Sequence, residues 1–398
     1  MNLKKLTRKT LSVITSALCA FMLLSNTACG PKTVEFDDYP TPIEELVQDD
    51  ENGDGEEEVK EDKIDEKDIP EELRPEVDSL RQNGKYIFNP TAVHPAYREQ
   101  VSENPKIIRV AKIIMESVYD LEDSIDLSEE DCSNAEFKLA YQLAAISSPL
   151  VNVAYINYDD MENITITYFP SIEYNDFNEQ VIGEESNKDA AKETFDNFVE
   201  YVTDTINNNL TDENTDIERA EIIYTQIIQD FELRYSNDED ASEIDDQLKG
   251  LDGNVDIGNY GVIDQVAEGR LDFSSFVELY QFFMTQLNIE CLVVGAMADY
   301  QTQNFAILDE EMEGSSGWFW SIIKVDDKAY NADILFDKMA LDSQRQDFED
   351  YEPDLKYFGM SDAKRKESFN YDPTTVTGQG TINPMKAVEI PECPDDLN

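Results

Sequence analysis

The chain has 398 residues, of which 40% are hydrophobic and 10% aromatic, so it has room for one or two globular domains. Its 87 acidic residues against 31 basic residues give a net charge of −56, which argues against nucleic acid or anionic lipid as a partner. With one histidine, His94, and five cysteines but no C-x-x-C pair, zinc-finger and thioredoxin-type sites are excluded.

Residues 1–28 have the pattern of a secretory signal peptide, with a basic start, an apolar stretch over 11–24 and small residues before Cys29. The pattern resembles a bacterial lipoprotein signal, in which the cysteine is acylated. Asn26 departs from it, because an apolar residue is usual three positions before the cysteine. Ordinary signal cleavage ahead of an unmodified cysteine is the alternative.

No other apolar stretch is long enough to cross a bilayer, so the lipid is predicted to be the only membrane anchor. The rest of the chain is then expected at the outer face of the bacterial cytoplasmic membrane. That location permits disulfides, for which Cys132 and Cys393 are candidates.

Residues 29–80 are rich in Asp, Glu and Pro and are predicted to form an acidic, disordered tether. Four of its residues have the spacing of an EF-hand calcium loop: Asp50, Asn52, Asp54 and Glu61. Position eight of such a loop is normally apolar but here is Glu57, and helix patterns are missing on both sides. We therefore favour a chance match and predict no resident metal or cofactor.

Residues 81–185 are predicted to form a helical region with a β-hairpin. Apolar spacing indicates helices over 107–121 and 135–146, and alternation over 152–158 and 164–169 indicates the hairpin. Two more helices are predicted over 190–210 and 217–233, and their periodic apolar residues indicate one buried face each.

A central helix is predicted from Phe273 to Leu287, with Asp272 as its N-cap. A buried strand over 289–294 follows it directly. Strands over 319–325 and 328–335 are joined by a tight turn at Asp326 and Asp327, and a short strand and helix near 357–366 close the domain. The fold class is α+β, and residues 371–398 are predicted to be an extended tail.

This order of elements resembles a bacterial transglutaminase-like domain of papain-like architecture, over residues 186–370. In that family a cysteine nucleophile starts the central helix, a histidine base lies on the next hairpin strand and an aspartate on the partner strand orients it. Gly269 and Arg270 match the turn before the nucleophile, and the 289–291 segment (Ile-Glu-Cys) matches the entry to the strand.

The resemblance places Phe273 at the nucleophile position, Trp318 at the histidine position and Asp333 at the orienting aspartate. Two of the three catalytic groups are therefore replaced, which implies a pseudoenzyme. Ser274 and Ser275 have no histidine downstream to activate them. Cys291 is predicted to be buried and structural, and His94 to be a surface or packing residue.

Phe273, Trp318 and Trp320 either fill the former cleft as core or line an aromatic groove for a peptide or glycan, and we favour a closed cleft. Asp333 either caps a turn or binds a cation, and we favour the structural role. The predicted function is binding or scaffolding at the cell envelope, with an unknown protein, peptide or cell-wall ligand. The alternatives are a cysteine-dependent transglutaminase or protease whose site residues lie elsewhere, and a calcium-responsive surface protein.

Overall fold

The computed structural model describes residues 70–158, 161, 163–169, 172–174, 180–182, 186–234, 254–255, 261–299, 304–306, 316–345, 352–369 and 390–397. The predicted signal peptide, Cys29, the calcium-loop match and most of the tether lie outside these residues.

The α-helices of the described residues are α1 (Ser79–Asn83), α2 (Pro95–Gln100), α3 (Lys106–Tyr119), α4 (Asn134–Ser147), α5 (Lys188–Asn209), α6 (Asp216–Asp230), α7 (Val262–Glu268), α8 (Phe273–Gln286), α9 (Ile334–Arg345) and α10 (Asp362–Phe369). Short 3-10 helices span Glu71–Leu73 and Pro149–Val153.

The strands are β1 (Ser124–Ile125), β2 (Ala154–Asn157), β3 (Ile164–Tyr168), β4 (Ile172–Tyr174), β5 (Gln180–Ile182), β6 (Glu232–Leu233), β7 (Asn254–Val255), β8 (Arg270–Leu271), β9 (Glu290–Asp299), β10 (Asn304–Ala306), β11 (Ser316–Val325), β12 (Lys328–Ala332) and β13 (Phe358–Met360). Helices and small, mainly antiparallel sheets together make an α+β fold, as predicted.

The helical region has the predicted helices and hairpin. α3 and α4 pack against each other, and α3 buries a continuous apolar face that includes Ile108, Val110 and Ile114. α4 begins with a capping box, in which the side chains of Ser133 and Glu136 each bind the other's backbone N–H. β2 and β3 pair antiparallel, which confirms the hairpin.

A five-stranded antiparallel sheet, in the order β10-β9-β11-β12-β13, forms the centre of the second half of the chain. The central helix α8 packs on β9 and β11, and its Phe276, Tyr280 and Phe283 are fully buried. The helix-then-strand prediction is therefore confirmed for these elements.

The predicted turn between β11 and β12 is also present. Val325 pairs with Lys328, so Asp326 and Asp327 alone form the loop. Their φ angles are 50° and 61°, the left-handed values that a type I′ hairpin turn needs at both central residues. Aspartate tolerates this conformation better than most residues, because its short side chain bonds locally.

The prediction that the following strand continues to residue 335 is wrong. β12 ends at Ala332, and α9 begins at Ile334. The carboxylate of Asp333 accepts a hydrogen bond from the backbone N–H of Phe336 at 3.2 Å, so Asp333 starts a helix where the apolar pattern continued.

The helix predicted over 217–233 ends earlier, at Asp230. Phe231 is extended, with φ −113° and ψ 141°, and β6 after it pairs parallel with β8. Gly269 is the left-handed C-cap of α7, with φ 70°. The turn predicted at Gly269 and Arg270 is therefore a helix end that leads into a short strand.

Both ends of the described chain are packed on the body of the fold. Leu80 is 2% exposed, so residues 70–80, assigned to the tether from their composition, contain a packed residue. In the predicted tail, residues 390–397 have no helix or strand but dock beside β13, where the backbone N–H of Leu397 bonds the carbonyl of Gly359 at 2.8 Å. No helix among the described residues has the length and apolarity to cross a membrane.

Candidate functional site: a closed cleft beside the central helix

Phe273 is the first residue of α8, as predicted, and Asp272 is its N-cap. The Asp272 carboxylate accepts from the backbone N–H of Ser275 at 2.8 Å and from the Ser274 hydroxyl at 2.9 Å. Gln265 holds this aspartate through both of its amide atoms. The helix start therefore carries a satisfied carboxylate cap, and the half-buried ring of Phe273 packs against the core.

Trp318 and Trp320 lie on β11, two residues apart, and so on one face of the sheet. Trp318 pairs with Ala296 of β9, and its side chain lies outside the described part of the structure. Trp320 is 1% exposed, and its indole N–H donates to the side-chain oxygen of Asn331 at 3.0 Å. Trp320 is therefore a core residue rather than the wall of an open groove.

Asp333 is fully buried and forms an ion pair with a cation that the sequence analysis did not assign. Its Oδ2 lies 3.0 Å from Nη1 of Arg365, and the side chains are 0% and 1% exposed. The Arg365 guanidinium carbon stands 3.8 Å from the centroid of the Trp320 ring, well within the range of a cation–π contact. Asp333 thus caps α9 through one carboxylate oxygen and pairs with the Arg365 side chain through the other.

Strand register explains why these groups meet. Ser321 on β11 lies opposite Ala332, the last residue of β12, so Trp320 and Asp333 are each the chain neighbour of a residue in that pair. α10 packs on β12 and β13 and places Arg365 over Trp320. We name Asp333, Arg365 and Trp320 the closed-cleft cluster.

The closed-cleft cluster is tied to the C-terminal segment by a chain of hydrogen bonds. Asn331, which receives the Trp320 indole bond, donates to Asp362 Oδ1 at 2.9 Å. The other carboxylate oxygen of Asp362 accepts from the backbone N–H of Cys393 at 2.8 Å, and the Asp362 backbone N–H returns a bond to the Cys393 carbonyl at 2.7 Å. Residues 390–397 therefore brace the end of α10 from which Arg365 projects.

A second buried carboxylate, Asp337, lies near Asp333 on α9. It accepts from the Tyr224 hydroxyl at 2.7 Å and from the backbone N–H of Tyr357. Burial raises the pKa of Asp337 to about 7; the two hydrogen bonds oppose that rise, and the charge of Asp333 adds to it. Asp333 and Asp337 are therefore two buried carboxylates with different partners, a guanidinium for the first and neutral donors for the second.

The thiols are poorly placed for nucleophilic chemistry. Cys291 is fully buried, and desolvation raises its pKa to about 12. Cys132 is half-buried and its pKa is also raised, chiefly by burial. The disulfide candidates Cys132 and Cys393 are both free, so that candidate pairing is absent from the structure.

His94 is a packing residue, one of the two roles predicted for it. It is 0% exposed, and its Nε2 lies 2.8 Å from the backbone carbonyl oxygen of Cys291, to which Gln281 also donates. Burial lowers the pKa of His94 to about 4, so the ring is neutral at pH 7. The one imidazole of the chain therefore contacts the backbone of Cys291.

Sequence reasoning missed Arg365 and Asp362, although it predicted the short helix that carries Arg365. The usable signal was the stretch Lys364-Arg365-Lys366 in a chain with few cations, beside a buried aspartate that needs one. Among the described residues, no group of three or more His, Cys, Asp and Glu side chains is arranged to hold a metal ion.

Comparison of the chain with protein-family models gave no match, and none of the curated proteins matched it.

Proposed function

We propose that this protein is a catalytically inactive, transglutaminase-like domain of papain-like architecture on a surface lipoprotein, and that it acts by binding or scaffolding at the cell envelope. The observation that carries the proposal is the closed-cleft cluster. At the place where the family resemblance puts a catalytic aspartate, Asp333 is neutralised by Arg365 under a buried Trp320.

The geometry supports a non-catalytic role for a simple reason. An orienting aspartate must face an imidazole, and here its carboxylate faces a guanidinium, which does not give up its proton at neutral pH. Phe273 at the start of α8 offers no nucleophile. The buried thiol of Cys291, with its raised pKa, is protonated at pH 7.

Closure of the cleft favours scaffolding over capture of a ligand inside it. Trp320, one of the three aromatic residues that an open groove would use, is 1% exposed. We therefore place partner binding on the outer surface, with a protein, peptide or glycan of the envelope as the partner.

An acyl-transfer assay tests the inactive state. The chain without its signal peptide and with Cys29→Ser is incubated with a glutamine-containing protein and a fluorescent primary amine. We expect no incorporation above a protein-free blank, and the same result for Cys291→Ala and Cys132→Ala. Incorporation that either alanine variant abolishes would overturn the proposal in favour of a cysteine-dependent enzyme.

Two further measurements test the envelope role. A clickable fatty acid fed to bacteria that express the full chain should label the wild type and leave Cys29→Ser unlabelled. The unlipidated chain should sediment with isolated cell envelopes; loss of binding after protease treatment identifies a protein partner, and persistence identifies a glycan. Absence of labelling together with absence of sedimentation would count against an envelope scaffold.

A further inference from the structure

Residues 71–80, near the start of the described part of the chain, cross from the helical region to the second half of the fold. We call this segment the acidic strap. Glu72, Glu76 and Asp78 all form ion pairs with the body of the fold, and together they reach α2, α3 and α6.

Glu76 is the most deeply held of the three carboxylates. Its Oε1 lies 3.3 Å from Nη2 of Arg98 on α2 and 3.0 Å from Nζ of Lys112 on α3, and its side chain is 11% exposed. It also accepts from the side chain of Asn89 and the backbone N–H of Val93. One carboxylate is thus shared by two cations and two neutral donors.

Asp78 and Glu72 occupy the two ends of the acidic strap. Asp78 Oδ2 lies 2.8 Å from Nη1 of Arg219 on α6, whose side chain is 0% exposed. Glu72 Oε1 lies 2.7 Å from Nη1 of Arg109 on α3. The strap carboxylates thus reach four cations, which we name the cationic groove: Arg98, Arg109, Lys112 and Arg219. The chain from Glu72 to Asp78 covers at most roughly 20 Å.

Ion pairs and apolar packing both hold the strap. Val77, in its middle, is 66% exposed, whereas Leu80 is buried and Leu73 packs against the core. Three hydrogen-bond donors of the cationic groove are buried without a partner: Arg219 Nε, Arg219 Nη2 and Arg98 Nε. Asp78 engages Arg219 through Nη1, which leaves Nε and Nη2, the pair of nitrogens that a carboxylate binds side by side, without a partner.

We propose that the acidic strap is a detachable latch, and that the cationic groove beneath it is a binding site for an acidic peptide. The chain is strongly acidic, with a net charge of −56, so four cations collected under one segment are a local exception to its charge. Detaching the latch removes a carboxylate partner from all four, although Arg109 keeps Glu130. An acidic peptide that engages Arg219 through Nε and Nη2 then replaces the strap.

Hydrogen exchange of the wild-type chain is the first test. Salt at about 1 M shortens the screening length to about 3 Å and weakens the partly exposed pairs of the strap. We expect the amides of residues 71–83 to exchange at least about fivefold faster at about 1 M than at about 0.05 M NaCl. The amides of α8, which is held by apolar packing, should not respond. If the amide exchange rates of residues 71–83 do not change with salt, the proposal of a detachable latch is overturned.

Peptide binding in trans is the second test. A fluorescent peptide of residues 70–84 is titrated into the wild type and into the triple variant Glu72→Gln, Glu76→Gln and Asp78→Asn. We expect saturable binding to the triple variant that is at least about tenfold tighter than to the wild type and that weakens with salt. A peptide carrying the same three neutral substitutions should not bind.

Matched controls separate the groove from general charge effects. Adding Lys112→Gln to the triple variant should weaken peptide binding, whereas adding Lys324→Gln, on β11 and paired with Glu290, should leave it unchanged. If circular dichroism shows that the triple variant is unfolded, the single variant Glu72→Gln is used in its place. That variant breaks only the ion pair with Arg109, whose side chain is 41% exposed. A folded variant with rapidly exchanging strap amides and no peptide binding would overturn the groove.

Discussion

At the scale of single residues, the fate of Asp333 decides how the former cleft is interpreted. A fully buried carboxylate has to be paired, since desolvation of an isolated charge costs several kcal/mol. Arg365 fulfils that requirement at 3.0 Å, and Trp320 covers the guanidinium. The carboxylate of Asp333 is therefore held in a buried ion pair.

Replacing Arg365 tests this pairing. Arg365→Met leaves the Asp333 carboxylate buried without its ion-pair partner, and we expect the free energy of unfolding to fall by about 3–5 kcal/mol. Urea denaturation measures it, with Lys366→Met, an exposed residue on the same helix, as the control. Adding Asp333→Asn to Arg365→Met should recover part of the lost free energy of unfolding. If Arg365→Met alone leaves that free energy nearly unchanged, the buried ion pair is contradicted.

Glu278 on α8 gives a second residue-scale prediction, because burial and the nearby Asp272 raise its pKa to about 8. Its unfolded pKa is about 4.3, so between these values the folded state binds the extra proton and stability falls as pH rises. Glu278→Gln removes that dependence. We expect the free energy of unfolding of Glu278→Gln to equal that of the wild type near pH 4 and to exceed it above pH 8.

Urea unfolding at about pH 4.5 and about pH 8.5 checks the sign of this effect. The control is Glu200→Gln, which lies exposed on α5. An equal difference between Glu278→Gln and the wild type at both pH values would rule out a raised carboxyl pKa in the folded state.

At the scale of elements, the C-terminal segment 390–397 is the part that composition misjudged. The prolines and acidic residues of the tail predicted an extended chain, and its last described residues do lack helix and strand. Their backbone nonetheless bonds β13 and the start of α10, and Cys393 is 0% exposed. A segment without periodicity can dock in this way when its polar backbone finds fixed partners.

A pair of glycine substitutions isolates this docking. Gly359 and Gly84 both have left-handed φ angles, 72° and 63°, but a Cβ on Gly359 would lie 2.6 Å from Leu397 Cβ whereas one on Gly84 meets nothing within 4 Å. We expect Gly84→Ala to cost about 1 kcal/mol of backbone strain and Gly359→Ala about 1–3 kcal/mol more.

Thermal or urea denaturation of the two variants measures the difference. Deleting residues 397 and 398 in the Gly359→Ala background removes the clash, so the added cost of that substitution should shrink toward the Gly84→Ala value. Equal losses in the two alanine variants would show that Leu397 does not pack on β13.

At the scale of the whole molecule, the net charge of −56 sets the response to ions. Like charges on a compact surface repel one another and destabilise the folded state, and salt screens that repulsion. We expect the thermal midpoint to rise by several degrees between about 0.02 M and about 0.2 M NaCl, even as the acidic strap exchanges faster.

Calcium distinguishes screening from specific binding. At matched ionic strength, CaCl2 and NaCl should raise the midpoint by similar amounts if the ions act only as a screening atmosphere. A larger effect of micromolar calcium would favour a real site at Asp50, Asn52, Asp54 and Glu61, and the variant Glu61→Gln should then remove the excess.

The sequence by itself determined the helices, strands and turns whose patterns are local. Periodicity located α3, α4, α5 and α8, alternation located the β2–β3 hairpin, and Asp326 with Asp327 marked the tight turn, because side-chain spacing and turn chemistry act over a few residues. Asp272 was recognisable as an N-cap for the same reason.

Which charges come together depends on the packing of distant segments. Asp333 and Arg365, like Asp78 and Arg219, are far apart in the chain. In a chain with 87 acidic residues, most carboxylates are solvated and a few are buried against a cation. Nothing local separates the two groups, because the energy of an ion pair depends on distance and burial, and both are set by how the elements pack.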